Sequence, residues 1–598
     1  MGKTDRVKFS TRRRSKRRFS GNQFTKKRDL NNEESLPSAS TTPSSAGPST
    51  VSNQPPAQVL STPLRNSNFE DIHTNTPKTS DKQADGYRII DLELLSEFIS
   101  SSMACPECFE HGVVLRENFT KKQGLCSFLF IECSCGYKKD FYSSKPAGKS
   151  FDINRRMIYT MRNLGHGYSG VKKFTTFMNM PGPMTVKNFD RSVKFITKKV
   201  EDVAESSMNK ASTELNLSSP EKVVDTSVSC DGTWQRRGFS SLNGCYTAMS
   251  LDSGKVIDTE VMSRYCKGCK NYEKIKKTNP AKFEKWQTNH VCKLNHSGSA
   301  AGMEITGATR IFKRSVEKRK LCYSKFLGDG DSKAFTSIEN IYPGRNVEKL
   351  ECVGHVQKRV GNRCRKLKQT VKGLGGRGRL TDAMIDKLQN YFGIAIRSTS
   401  NIEIMKKSIY GSLFHVASSR VNNYHTHCPD GKESWCRFKR DRATGQETYK
   451  PGPGLPNSVI KYLKPMYEDL SSDSLLKICI HGKTQNQNEA FNALIWERVP
   501  KSVYVSLTQL RFGTYDAVAY YNMGRNSSIE IFKALGMNPG RFMEKHCQVS
   551  NAKRLFNKTR KSSEPVRKRR KILRGLKKTK QDSNELNEGV IYEAGKFV

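Results

Sequence analysis

The chain has 598 residues, with 103 lysines and arginines against 57 aspartates and glutamates, a formal net charge of +46. That length allows several domains, and that charge points to a polyanionic partner, of which nucleic acid is the commonest. No run of roughly 18 apolar residues is present, which excludes a helical membrane span, and the opening MGKTDRVKFSTRRRSKRR lacks the apolar core of a secretory signal.

Residues 1–87 are rich in Ser, Thr, Pro, Asn and Gln, as in LPSASTTPSSAGPSTVSNQPP. So few apolar residues cannot offset the entropy of ordering, and this basic N-terminus is expected to be disordered. The runs Arg12–Arg18 and Arg567–Lys580 fit nuclear-import signals, so a nuclear location is expected; as solvated tails they would also grip phosphates. Without a secretory signal, the 17 cysteines are expected to be reduced thiols or metal ligands. Order is expected from YRIIDLELLSEFI, where apolar residues return at helical spacing. Residues 88–150 read as a zinc-ribbon-like module. Cys105/Cys108 and Cys133/Cys135 flank a predicted β-hairpin, and four thiolates suit tetrahedral Zn²⁺. The second pair is Cys-x-Cys rather than Cys-x-x-Cys, and four reduced cysteines without metal are the plainer alternative.

Residues 151–220 are expected to form a helical segment that links this module to the core and contributes to DNA binding. Between 221 and 371, VVDTSVSCDGTW reads as a strand ending at Asp231, and CYTAMSLDSGKVIDTEVMSR as a hairpin turning at Asp252–Lys255. GMEITGATRIFKRSVEKRK is a helix, and CYSKFLGDGD a strand running into Asp329 and Asp331. SKAFTSIENIY is a helix and VEKLECVG a strand. HVQKRVGNRCRKLKQTVK is a basic helix whose Lys358, Arg359, Arg363 and Arg365 are candidate phosphate contacts. Three antiparallel strands, then helix, strand, helix, strand, helix, is the order of an α/β, ribonuclease-H-like mixed-sheet core. In that fold the first and fourth strands are neighbours, so Asp231 and Asp329 would share a site. Two carboxylates so placed repel unless a cation lies between them, and hard Mg²⁺ or Mn²⁺ prefers oxygen ligands. Asp331 is the alternative second acid. A third is expected from a later helix, at Glu489 in GKTQNQNEAFNALIWERVPK. The core would then resume over 481–535 after a helical insertion at 372–480, and 536–598 would be a basic tail with at most a short helix near Arg567–Leu576.

Two further Cys/His groups stand out. Cys266, Cys269, Cys292 and His296 form a second candidate Zn²⁺ set, in which His290 competes as fourth ligand. His425, His427, Cys428 and Cys436 are irregularly spaced, and both metal binding and packing around Trp435 are open. The Gly-rich KGLGGRGRL lacks the Gly-Lys-Ser/Thr ending of a phosphate loop and reads as a flexible basic connection.

The stretches SCDGTWQRRGFSSLNG, GDGDSKAF, CVGHVQKRVGNR, HCPDGKESWCRF and GKTQNQNEAFNALIWERVPK, with the upstream NRRMIYTMRNLGHGYSGVKKFTTFMNMPGPM, resemble the Mutator-like transposase domain over roughly residues 90–535. The resemblance implies a DDE/D transposase with a ribonuclease-H-like core, a helical insertion before the last acid, and the triad Asp231, Asp329 and Glu489. It places the family's Cys-x-x-His element on Cys352 and His355, as supporting residues. It further implies DNA as partner (terminal repeats and target), a homo-oligomer on DNA, and metal-dependent nicking followed by strand transfer. A catalytically idle DNA-binding regulator derived from such an enzyme is the alternative.

Overall fold

The computed structural model describes residues 85–217, 222–236, 241–328, 333–502, 505–567, 569–570, 572–573 and 576. Asp329, Asp331 and residues 1–84 lie outside them, as does much of the Arg567–Lys580 run. Helix α1 (Leu92–Ser102) starts at Asp91, whose carboxylate accepts from the Glu93 amide, and leads into three antiparallel strands, β1 (Val114–Glu117), β2 (Phe128–Glu132) and β3 (Lys138–Tyr142). The buried apolar cluster at the knuckles is small: Cys105, Val113 and Cys133. A core of that size does not hold a module by apolar burial alone.

A two-rung ladder, β4 (Pro146–Ala147) with β5 (Ser150–Phe151), hands the chain to α2 (Asp152–Asn163), α3 (Tyr168–Phe177) and the 30-residue α4 (Val186–Leu215). Helix α4 buries Phe189, Val193, Ile196, Val200, Ala204, Met208 and Ala211, an unbroken stripe at three- and four-residue steps. It spans two cores, one with α2 and one under the central sheet.

That sheet has five strands: β6 (Val224–Trp234), β7 (Asn243–Ser250), β8 (Val256–Ser263), β9 (Leu321–Gly328) and β10 (Glu348–Glu351), in the order β10-β9-β6-β7-β8. β6, β7 and β8 are antiparallel neighbours, whereas β9 and β10 run parallel to β6, so the sheet is mixed. Every residue of β7 is buried, because helices cover both faces. On one face Val228, Cys230, Tyr246 and Ala248 pack with α7 (Gly302–Arg319) and α8 (Lys333–Ile338). On the other, Cys245, Met249 and Val256 pack with α4 and with two later helices, α15 (Asn486–Arg498) and α16 (Leu507–Met523). β6 does not stop at Asp231 as its sequence suggested. It continues to Trp234 because Gly232, Thr233 and Trp234 go on pairing with Tyr246, Cys245 and Gly244. Gly244 is obligatory there, since a Cβ would sit 2.1 Å from the Trp234 ring.

Between β8 and α7 lie two short helices, α5 (Lys267–Thr278) and α6 (Pro280–Thr288). After β10 the basic α9 (Val353–Thr370) packs with α10 (Asp382–Ala395), α11 (Ile402–Ala417), α13 (Asn457–Leu470) and α14 (Asp473–Lys477) around a core of their own, α12 (Arg437–Thr444) lying between α11 and α13 in the chain. The chain then returns to the sheet through α15 (Asn486–Arg498), α16 (Leu507–Met523) and α17 (Asn526–Ala534). The region read as a tail instead carries α18 (Arg541–Ser562), which buries only Cys547 and so leaves little apolar periodicity to detect.

The return is locked by a buried ion pair. Arg498, at the end of α15, donates to Asp516 of α16, which also accepts from Tyr159 and Asn163 of α2, both at 2.8 Å. The two side chains are 5% and 3% exposed. Asp516→Ala leaves the guanidinium buried without its counter-charge, and should cost about 3–5 kcal/mol in denaturant unfolding; a loss below about 1 kcal/mol, the range of exposed pairs, would show that the pair is not structural.

Candidate active site and metal clusters

Helix α15 lies along β6 through polar contacts. Gln485 Nε2 donates to the Cys230 carbonyl at 2.9 Å. Asn488 accepts from the Ser229 hydroxyl at 2.6 Å and donates to the Ser229 carbonyl at 3.1 Å. Asn492 Nδ2 donates to Asp231 Oδ2 at 2.7 Å, and the Trp496 indole to Thr233 Oγ1 at 2.7 Å. Alternation puts Ser229, Asp231 and Thr233 on one face of the strand, and three- to four-residue steps put 485, 488, 492 and 496 on one face of the helix. Phe491 and Ile495 anchor the same helix in the apolar core. Trp496 is half-buried, so its ring packs while its indole N–H takes this polar role.

Glu489 sits one turn before Asn492 and is exposed; the Lys358 ammonium of α9 stands 3.9 Å from it. Both partners are exposed, so this is a surface pair of small energetic weight. The pairing of Ser229 with Leu327 brings the end of β9 beside the strand of Asp231, and Asp329 is the residue after Gly328. Cys352 is the N-cap of α9, and its sulfur accepts from the Gln485 amide at 3.4 Å, so α9 and α15 begin at the same place. Burial alone would raise the Cys352 thiol pKa, but hydrogen bonds from the His355 side chain and from the amides of Gln485 and His355 hold it below the ordinary range. Sequence reasoning missed Gln485, Asn488 and Asn492; their spacing in TQNQNEAFN, opposite the alternating Ser229, Asp231 and Thr233, was the available signal.

The cations predicted to grip phosphates are largely engaged within the protein. Arg359 pairs with Glu351 at 2.9 Å, Arg365 with Asp386 at 3.0 Å, and Arg363 with Asp469. They tie α9 to β10, α10 and α13. Three other basic residues, Lys122, Lys149 and Arg191, line a cavity of about 560 Å³ between the ribbon and the start of α4.

Three Cys/His sets could each hold a structural metal such as zinc. A tetrahedral Zn²⁺ with sulfur at ~2.3 Å and nitrogen at ~2.0 Å keeps its ligands roughly 3.3–3.8 Å apart. In the ribbon, Cys105 and Cys135 sulfurs are 3.6 Å apart, as are those of Cys108 and Cys133. The Cys135 amide lowers the Cys133 thiol pKa, favouring its thiolate form. In the second set, His290 Nε2 lies 3.2 Å from Cys266 and 3.4 Å from Cys269, whose sulfur is 3.5 Å from that of Cys292. His296 is not among these ligands. Its Nε2 meets the Ser299 carbonyl at 3.0 Å, and its backbone closes on Ser263. In the third, His415 of α11 faces His425 at 3.1 Å, and Cys428 and Cys436 lie 3.6 and 3.4 Å from His415 and His425 respectively. His427 stands outside it, and the His425 Nε2 is fixed by Tyr449 at 2.9 Å, the outer hydrogen bond that orients a ligand imidazole. Trp435 packs beside His415, so ligand cluster and aromatic packing coexist.

The sequence signature of the Mutator-like transposases matches residues 86–436, more than half of the chain. The chain belongs to the Mutator-like transposase family. No curated protein matches it. The matched stretch of this transposase-family chain contains the ribbon, the whole sheet and all three Cys/His sets, while Glu489 and α15 lie beyond it. Membership carries a transposase-related function and DNA as partner. Among the described residues no helix is long and apolar enough to cross a membrane.

Elemental analysis of the full chain should find three equivalents of zinc. Cys428→Ser with Cys436→Ser should remove one, and His427→Ala and His296→Ala none. Loss of metal in His296→Ala with retention in His290→Ala would overturn the second ligand set.

Proposed function

We propose that the chain is a nuclear DNA transposase that nicks element ends and joins the freed strand to target DNA, from a ribonuclease-H-like core whose acids are Asp231, Asp329 and Glu489. The observation that carries this reading is the docking of α15 on β6. It sets the helix of Glu489 against the strand of Asp231, in a sheet whose order and strand directions fit that fold. Family membership supplies the reaction class.

The acids fit a hard divalent cation by chemistry: oxygen donors, one exposed and one half-buried, with an ammonium already near Glu489. Mg²⁺ or Mn²⁺, when bound, would supply activation of water or a 3′-hydroxyl and stabilisation of the leaving oxygen. The protein's part is positional. Asn492 fixes the rotamer of Asp231 by donating to one carboxylate oxygen. Lys358 balances Glu489 and is long enough to swing to a phosphate. Zinc in the three Cys/His sets would be structural. The cationic cavity at Lys122, Lys149 and Arg191 is suited to DNA phosphates, and the chain would act as a homo-oligomer on its DNA.

Glu489→Gln and Asp231→Asn should each lower cleavage of a labelled terminal-repeat duplex in Mg²⁺ or Mn²⁺ by more than about 100-fold, the upper range for residues one shell further from a metal, with DNA binding kept. Asp329→Asn should behave alike and Asp331→Asn should keep activity; the reverse would exchange the second acid. Unaltered protein that binds the repeat but cuts nothing would favour the regulator.

Affinity for duplex DNA should fall with salt, each neutralised phosphate adding about −0.9 to the slope of log affinity on log salt. A slope near zero in an anisotropy titration would remove DNA as the partner of the +46 charge.

A further inference from the structure

The chain leaves the sheet edge at Ser263, forms α5 and α6, and returns before α7. Neither short helix buries a single residue. Helices of 12 and 9 residues are marginal in water without tertiary support. The support here is a stack and a ligand set that share one side chain. Tyr272 of α5 lies flat on Trp286 of α6, with centroids 4.1 Å apart and an interplanar angle of 7°, and His290 stacks on Trp286 at 4.1 Å. The same imidazole turns its Nε2 to Cys266 and Cys269, at the start of α5. At the base, Asn295 accepts from the Ser263 amide at 2.7 Å and donates to the Val261 carbonyl at 2.8 Å, clamping the lobe to β8.

This lobe carries eight lysines between Lys267 and Lys293 against two acids, Glu273 and Glu284. None of these lysines forms an ion pair with a described residue. Lys267, Lys270, Lys274 and Lys277 are all exposed and fall three to four residues apart, a single stripe along α5. Ten residues of helix extend about 15 Å, the axial length of roughly four phosphates on one DNA strand. A merely solvated charge run needs no such alignment. Like charges at this spacing oppose the helix that holds them, and a fold that enforces the row is explained by an anion laid along it.

We propose that the α5–α6 lobe is a metal-dependent clamp for the DNA backbone, a site separate from the acids on β6 and α15. It rests on the reading of the chain as a DNA-handling protein. In full-length protein, Lys270→Gln, Lys274→Gln and Lys277→Gln together should reduce the salt slope for a random-sequence duplex by about 2 to 3, near 0.9 for each phosphate no longer neutralised, at unchanged zinc content. Cys292→Ser should remove one zinc equivalent and reproduce the same drop. An unchanged slope in the lysine variant, with wild-type binding still salt-dependent, overturns the clamp and leaves the DNA reading standing. Loss of binding to a single-stranded RNA of equal length, with duplex binding intact, overturns DNA as its ligand. No salt dependence in the wild type defeats the wider reading instead.

Discussion

The sheet depends on one constraint: the polar groups on the underside of β6 must be satisfied away from water. Ser229, the Cys230 carbonyl, Thr233 and one oxygen of the half-buried Asp231 meet a helix, and buried polar groups without partners are costly. Gln485, Asn488, Asn492 and Trp496 meet them in turn. An apolar helix would cover that face but leave those groups unpaired. The contacts that satisfy β6 therefore also fix the azimuth of α15, and with it the direction of Glu489. Stability and the geometry of the acids are set by the same hydrogen bonds.

Elsewhere apolar burial is sparse where thiols cluster. The ribbon buries three residues at its knuckles, and α5 and α6 bury none. In the insertion, the long path from α11 to α13 is gathered onto His415, His425, Cys428 and Cys436. In each place a ligand set stands where a larger module would place a core, the usual division of labour in small units. Among the described residues, no such set lies within the apolar core of the sheet or that of the insertion.

The strand order was legible because each strand of the sheet alternates or is bounded by turn residues, and because Asp252–Lys255 closes a tight hairpin. The core acids could be nominated from their places at strand ends and on a polar helix. The positioning residues went unread, because the polar spacing of TQNQNEAFN gains its meaning only from partners over 250 positions away. The choice between His290 and His296 also escaped the sequence. Both lie near Cys292, and what separates them is the Trp286 stack on one and the Ser299 carbonyl on the other. His415 was hidden in an apolar helix. The arginines of α9 were legible as charge but not as the ion pairs that absorb it, because Asp386 and Asp469 come near only when the insertion folds.

Ser229 and Asn488 are 259 positions apart, with that insertion among the chain between them. At a synthesis rate of roughly 5–20 residues per second, about 13 to 52 s pass between making the strand and making the helix that covers it. During that interval the nascent sheet shows a face of Cys245, Met249 and Val256 flanked by unsatisfied hydroxyls and a carboxylate. The insertion has a core of its own and can fold while the sheet waits. The polar face of β6 is satisfied, and Glu489 is set beside the strand of Asp231, only when α15 docks, after everything upstream has been made.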